Sequence, residues 1–181
     1  MDFNKFDSRA AAETGQPMQI LDQWTNEPML TAEGEECCVL VRGSASKSAQ
    51  AAMRAKQKAA IMSRKSKAQS APKTVGDTPA EQEEEARVME DVHNELCAAA
   101  APFILGFVNV MNGERLATAD DAEWFLNLSF PAMDVTKDEY GDPVVDADGV
   151  PKYKMTNNPF AKQVVEFAGN QANRLGNAPK S

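Results

Sequence analysis

The sequence predicts a small α+β fold: a small antiparallel sheet with three to four helices, two of them an alanine-rich pair. Three observations predict it. From Arg42 to Lys73 there are nine Lys or Arg and no Asp or Glu, while Asp77 to Glu95 holds eight Asp or Glu against one basic residue, Arg87. Both stretches are helix-like, so opposite charge favours docking one on the other, each exposed pair contributing at most about 1 kcal/mol. Strand-like apolar runs lie on either side, at Glu36-Cys-Cys-Val-Leu-Val-Arg42 and Phe107-Val-Asn-Val-Met111. Third, large apolar residues come in short clusters and alanine supplies much of the 43% hydrophobic content. Such a chain builds a small core that a partner or a homo-oligomer completes.

The organisation follows from these patterns. Residues 1–69 carry the N-terminal strands and the basic helix. Residues 70–79 form a breaker-rich linker, Ser70-Ala-Pro-Lys-Thr-Val-Gly-Asp-Thr-Pro79. Residues 80–181 form a helical part with a hairpin insertion at 134–157. Met1 to Pro17 reads as an extended arm. Gln19 to Trp24 is strand-like, Thr25-Asn-Glu-Pro28 is a turn signal, and Met29-Leu-Thr31 resumes the strand. Glu36 to Arg42 is the clearest strand, and the sheet ends at Gly43. Ser44 or Ser46 caps the basic helix, which runs to about Ser66 with Ala49, Met53, Ala60 and Ile61 near one face.

Thr78 caps the acidic helix, with Pro79 at its first position and Glu81 three residues after the cap. Its four glutamates at 81 and 83–85 sit near the positive end of the helix dipole. Val88, Val92, Leu96, Ala99 and Phe103 step along its apolar face until Pro102 disturbs its end. Asn112-Gly113 is a hairpin turn pair, returning through Glu114-Arg-Leu116. Thr118 and Asp121 have capping-box spacing, and Trp124, Phe125, Leu128 and Phe130 form an apolar cluster. Asp134 to Asn157 is an exposed hairpin with an Ala-Asp-Gly turn. Asn158-Pro159 opens a last helix with Phe160, Val164 and Phe167 on one face, ending near Gly176.

Charge and composition exclude several functions. The net charge of −8 argues against nucleic-acid binding by the whole molecule. The run Lys47, Arg54, Lys56, Lys58, Arg64, Lys65, Lys67 is a local exception, but it lacks interleaved aromatics, so a solvated helix face is the simpler reading. No apolar run reaches the roughly 20 residues that span a bilayer. The N-terminus lacks the apolar core of a signal peptide, and three cysteines, Cys37, Cys38 and Cys97, read as reduced thiols. The expected place is a host cytoplasm.

Chemistry-bearing residues are sparse. Asp142, Asp146 and Asp148 before Gly149 hint at calcium, but the loop lacks the EF-hand ligand order and a closing Glu, so a solvated turn is expected. His93 is the sole histidine. It reads as half exposed on the acidic helix, and no second histidine supplies a metal pair. The cysteines fall short of a four-ligand zinc set unless His93 joins. No glycine-rich phosphate loop and no Gly-x-Ser-x-Gly elbow is present. The reading is of no catalytic residue, no metal site, no cofactor and no enzyme.

A family pattern runs through most of the chain. It comprises a Met-Asp-Phe start, a strand, Asn26-Glu-Pro28, a second strand ending Val39-Leu-Val-Arg-Gly43, and a Lys/Arg-rich alanine helix. An acidic helix, a strand, the Asn112-Gly113 turn and an aromatic helix closing at Phe130-Pro131 follow. The ending, Phe160-Ala-Lys-Gln-Val-Val-Glu-Phe-Ala-Gly-Asn-Gln-Ala-Asn-Arg-Leu-Gly176, is an amphipathic helix closing in Asn, Arg and Leu. This resembles the tail assembly chaperone-like family of tailed bacteriophages, with Met133 to Asn157 as an insertion. The resemblance implies a non-enzymatic protein that keeps the hydrophobic tape measure protein soluble while the tail tube polymerises.

Candidate contact residues for such a partner are Met53 and Ile61 on the basic helix and Val164, Phe167 and Leu175 on the last helix. The alternative is that these faces pack on the protein's own sheet. Two other functions stay open. One is a structural virion component (tail, neck or capsid-decorating subunit) that laces neighbours through the 1–17 arm and the 134–157 hairpin. The other is a nucleic-acid-binding accessory protein acting through 42–73.

Overall fold

The computed structural model describes residues 12–54, 79–145 and 152–170. Strands β1 (Gln16–Gln19), β2 (Cys38–Val41) and β3 (Ile104–Val108) form an antiparallel sheet in the order β1-β2-β3. Gln16 faces Val41 and Gln19 faces Cys38 across one ladder; Val39 faces Phe107 across the other. The central strand is where the sequence runs Cys-Cys-Val-Leu-Val. Val39 and Val41 are completely buried there, each contributing about 1.5–3 kcal/mol by leaving water.

The α+β class read from the sequence is the class the chain adopts, with further two-stranded sheets beside the main one. Several elements sit elsewhere than expected. The strands expected at 19–24 and 29–31 shrink to the single bridges Leu21–Pro28 and Leu30–Glu36 within a ribbon joining β1 to β2. Asp22 breaks the strand by accepting hydrogen bonds from the amides of Trp24 (2.9 Å) and Thr25 (2.8 Å), a side-chain turn that competes with a ladder. The strand expected at 107–111 starts three residues earlier, at Ile104. Pro102 ends the acidic helix in a 3-10 turn, Ala101–Phe103, that leads straight into the strand. Asn109, at φ 58°, then ends it.

Of the basic helix, residues 47–54 are described as α1; 55–69 and the linker lie outside the described residues. Ser46 is its cap, its Oγ accepting from Ala49 N–H at 3.2 Å. The acidic helix α2 (Pro79–Ala100) is described from Pro79 onward; its expected cap, Thr78, lies outside the described residues. The expected docking of the basic on the acidic helix falls largely outside them too. What α2 packs on is α3 (Ala122–Asn127) and, more extensively, α4 (Phe160–Gly169). Apolar contact rather than charge makes that joint: Ala100, Phe103, Ala161, Val164 and Ala168 are all buried in one cluster.

That cluster joins residues on both sides of 70–79, from Met18, Val39 and Ala49 to Phe125, Leu126 and Phe160. The division between an N-terminal and a C-terminal part therefore does not separate two cores. Phe125 stacks on Phe160 (centroids 4.8 Å apart, 6° between planes) and meets Phe107 edge-on at 5.1 Å. Of the expected cluster at 124–130, Phe125 is interior, but Leu128 and Phe130 are about half exposed; Leu126, fully buried, takes their place.

The last helix ends at Gly169 rather than near Gly176. Asn170 turns extended (ψ 102°) and closes the final turn by donating to Glu166 and Phe167 oxygens. At its start, Gln163 lies buried against the ribbon. Its Oε1 accepts from Leu21 N–H (3.0 Å) and its Nε2 donates to Leu21 O (2.8 Å). The 134–157 hairpin exists as β6 (Met133–Val135) on β7 (Tyr153–Met155), with 146–151, including the Ala-Asp-Gly turn, outside the described residues. Its base is fixed by buried Asn157, which donates to Phe130 O at 2.7 Å and Gln23 Oε1 at 3.0 Å. Fully buried Ser129 donates to the same Gln23 oxygen at 2.7 Å.

Candidate functional site

The small hairpin after β3 is β4 (Met111–Asn112) paired with β5 (Arg115–Leu116). Its turn pair is Gly113-Glu114, one residue later than the Asn112-Gly113 pair expected. Gly113 takes φ 65° at the first central position, the place where a type II′ turn needs glycine. Asn112 is free to point inward instead, and its Nδ2 donates to Asp121 Oδ1 at 2.8 Å. Arg115 donates to both Asp121 oxygens, at 2.7 and 2.6 Å. Asp121 also accepts from Thr118 N–H at 2.7 Å, completing the capping box read from the sequence. The Arg115 guanidinium, then the Thr118 amide, hold the Asp121 carboxyl well below the usual range. One buried carboxylate thus clamps the hairpin onto the start of α3.

The clamp builds a groove. One wall is the ribbon between β1 and β2, with Met29, Thr31 and Cys37. The other is the hairpin, with Met111 and Leu116. The floor is Trp124, Phe125 and Leu128, together with Phe160. The cleft encloses about 600 Å³. Met29 is 40% exposed, Met111 51%, Leu116 62% and Leu128 53%, so large apolar side chains face solvent together. Contiguous exposed apolar surface of this kind marks interaction sites in soluble folds. Glu33 and Glu35 stand on its lip. From Met18 to Val41 the chain carries Asp22, Glu27, Glu33, Glu35 and Glu36 and no Lys, Arg or His.

Cys37 lines the groove and donates its thiol to Asn109 O at 3.2 Å, while Cys38 points to the other side and is buried. That is the alternation expected of neighbours in a strand. Burial pushes both thiols up, so both stay protonated and unreactive near neutral pH. None of the three cysteines is in a disulfide.

His93 is not half exposed but 4% exposed. Its burial was illegible because its neighbours come from distant sequence. Nε2 meets Asn127 Oδ1 at 2.8 Å, and the ring lies on Phe130 with centroids 4.4 Å apart. Asn127 Nδ2 donates to Glu123 O at 2.8 Å, which orients its oxygen toward the imidazole and assigns the proton to Nε2. Cys97 Sγ lies 3.5 Å from Nε2 and 3.8 Å from Nδ1, beside the ring rather than in line with one nitrogen. Cys97 is in the last turn of α2, where the helix dipole opposes a thiolate. This Cys-His-Asn set suits packing, not nucleophilic attack. Among the described residues, no three His, Cys, Asp or Glu gather to hold a metal ion. Asp142 is exposed, and Asp146 and Asp148 lie outside the described residues.

Of the contact residues read from the sequence, Val164, Met53 and Phe167 meet in the core cluster, away from the groove. Val164 is fully buried and offers no surface; Met53 is half-buried against the core. Phe167 is half-buried and lines a smaller cleft of about 370 Å³ between α4 and β1. Ile61 and Leu175 lie outside the described residues. The groove residues were missed, although a signal existed. Met29-Leu30 directly follows a turn, and Met111 and Leu116 flank another, positions where polar residues are the rule. Among the described residues no helix is long and apolar enough to cross a membrane. Comparison with protein-family models, with curated proteins and with solved structures finds no match to this chain.

Proposed function

We propose that this chain is a non-enzymatic binding protein that shields an apolar segment of another protein, acting as a tail assembly chaperone for a phage tape measure protein in the host cytoplasm. The single observation that carries the reading is the groove, where Met29, Met111, Leu116 and Leu128 are exposed side by side over an aromatic floor. The sequence pattern resembling the chaperone-like family supplies the biological setting. Methionine suits such a site because its unbranched, polarizable chain repacks around different partners. The test is co-expression of the chain with a tape measure protein from the same source. A rise in soluble client and co-purification are expected, and both should vanish with Met111→Asp. Unchanged client solubility would overturn the reading.

A structural role in the virion is the second reading, and the arm built on β6 and β7 favours it. Tyr140 is 83% and Val145 48% exposed there. Mass spectrometry of purified particles separates the two readings: abundance in the mature virion supports this one, absence removes it.

A further inference from the structure

We propose that the groove takes an amphipathic α-helix whose apolar stripe is bordered by Lys or Arg on the side that meets the Thr31–Glu36 turn. The inference rests on the groove being a client site and names what it selects. Two observations point to a helix. The lining is mostly apolar, with Met29, Met111, Leu116, Trp124 and Leu128 among its residues. An apolar lining has few partners to give an extended segment's amides and carbonyls, so it favours a segment whose backbone is already satisfied. The opening is apolar and broad, as a helix laying down residues at i, i+3, i+4 and i+7 requires.

Charge sets the border. Glu33 and Glu35 stand on the lip, exposed and held through their backbones: both amides donate to Thr31 Oγ1 at 3.2 Å, and Glu35 O accepts from Thr31 N–H at 2.8 Å. Among the described residues neither carboxylate is in an ion pair. The basic residue on the hairpin wall, Arg115, is turned to Asp121 and neutralised there. The groove is therefore a one-signed field beside an apolar floor. Such a field steers oppositely charged partners and rejects acidic ones, and it does so over roughly one Debye length, about 8–10 Å near physiological salt.

The experiment uses the full chain carrying Trp24→Phe. Trp24 is exposed and outside the groove, so Trp124 becomes the one tryptophan and reports occupancy by fluorescence. Three synthetic peptides of equal length share one leucine-alanine stripe. The first is flanked by Lys, the second by Glu, and the third is the Lys version with two central prolines that forbid a helix. The Lys helix should bind at least about fivefold more tightly than the Glu helix at low salt. That ratio should collapse at 0.5 M salt (~4 Å Debye length) and in the Glu33→Gln/Glu35→Gln variant, whose exposed positions leave the fold intact. Equal binding of Lys and Glu helices overturns the charge selection and leaves the client groove standing. Equal binding of the proline peptide overturns the helix. Binding of none of the three overturns the groove reading itself.

Discussion

Arg115 and Asp121 meet through two parallel hydrogen bonds of 2.6 and 2.7 Å, and this fork joins a two-stranded hairpin to the first turn of a helix. Asp121 is 7% exposed and Arg115 carries the exposed half of the pair. Replacing Asp121 by Asn keeps the size, removes the charge and leaves the guanidinium without its anion. The expected result is a fall in Tm and loss of groove binding, because Met111 and Leu116 lose their anchorage. Thermal unfolding together with peptide titration checks both.

The same carboxylate gives the protein an acid limit. Its folded pKa lies below the ordinary value of 3.8, so its stabilisation is complete above that value and is lost as pH falls toward the folded pKa. Glu13 adds a second such group. Its oxygens accept from Ser48 Oγ (2.6 Å) and Ser48 N–H (3.2 Å), which lowers it from 4.5 to about 2. Between pH 4.5 and 2 the native state is therefore expected to weaken progressively. Denaturant midpoints measured across that range should fall less steeply in Glu13→Gln than in the parent chain.

Core and groove should separate cleanly under mutation. Phe125→Ala removes a ring that stacks on Phe160 and abuts Phe107, and about 3–5 kcal/mol of stability should go with it. Met111→Ala, at a half-exposed site, should change stability by no more than about 0.5 kcal/mol while weakening peptide binding. Urea unfolding and fluorescence titration on the same two proteins make the comparison.

Asn127→Ala tests the buried imidazole. Without the amide oxygen, His93 Nε2–H loses its acceptor inside the fold, which costs about 1–3 kcal/mol. A Cys97→Ala change nearby should cost less if the set is packing only. Loss of stability in Cys97→Ala equal to that in Asn127→Ala would show the thiol to be a principal partner of the ring.

Gly113→Ala forces an L side chain to φ 65°, a strain of roughly 1–2 kcal/mol. The damage should appear in the hairpin and the groove rather than in the central sheet. Hydrogen exchange reads this directly: Ala117, whose N–H donates to Val110 O at 2.8 Å, should lose protection while Val39 keeps it.

Local signals in the chain were legible and distant partnerships were not. The Thr118–Asp121 capping box and the central strand through Val39 and Val41 follow from residues within a few positions of each other. The sheet order did not, because β3 arrives after the linker and α2. His93 looked like a surface residue because Asn127 and Phe130 lie more than thirty positions away. The groove was hidden for the same reason: its walls, the ribbon and the hairpin, meet through bonds between distant residues, Cys37 Sγ to Asn109 O and Asn109 Nδ2 to Glu36 O. Gln163 showed only as a polar residue on an apolar helix, its role set by Leu21 at the other end of the chain.

That glutamine has a further effect. By answering both the amide and the carbonyl of Leu21, its carboxamide fills the slot in which a foreign strand would begin to zip on. An open margin of sheet is a ready template on which β-containing proteins clump. A molecule that keeps greasy surface on display in one cleft thus denies passing chains a foothold at this point along its rim.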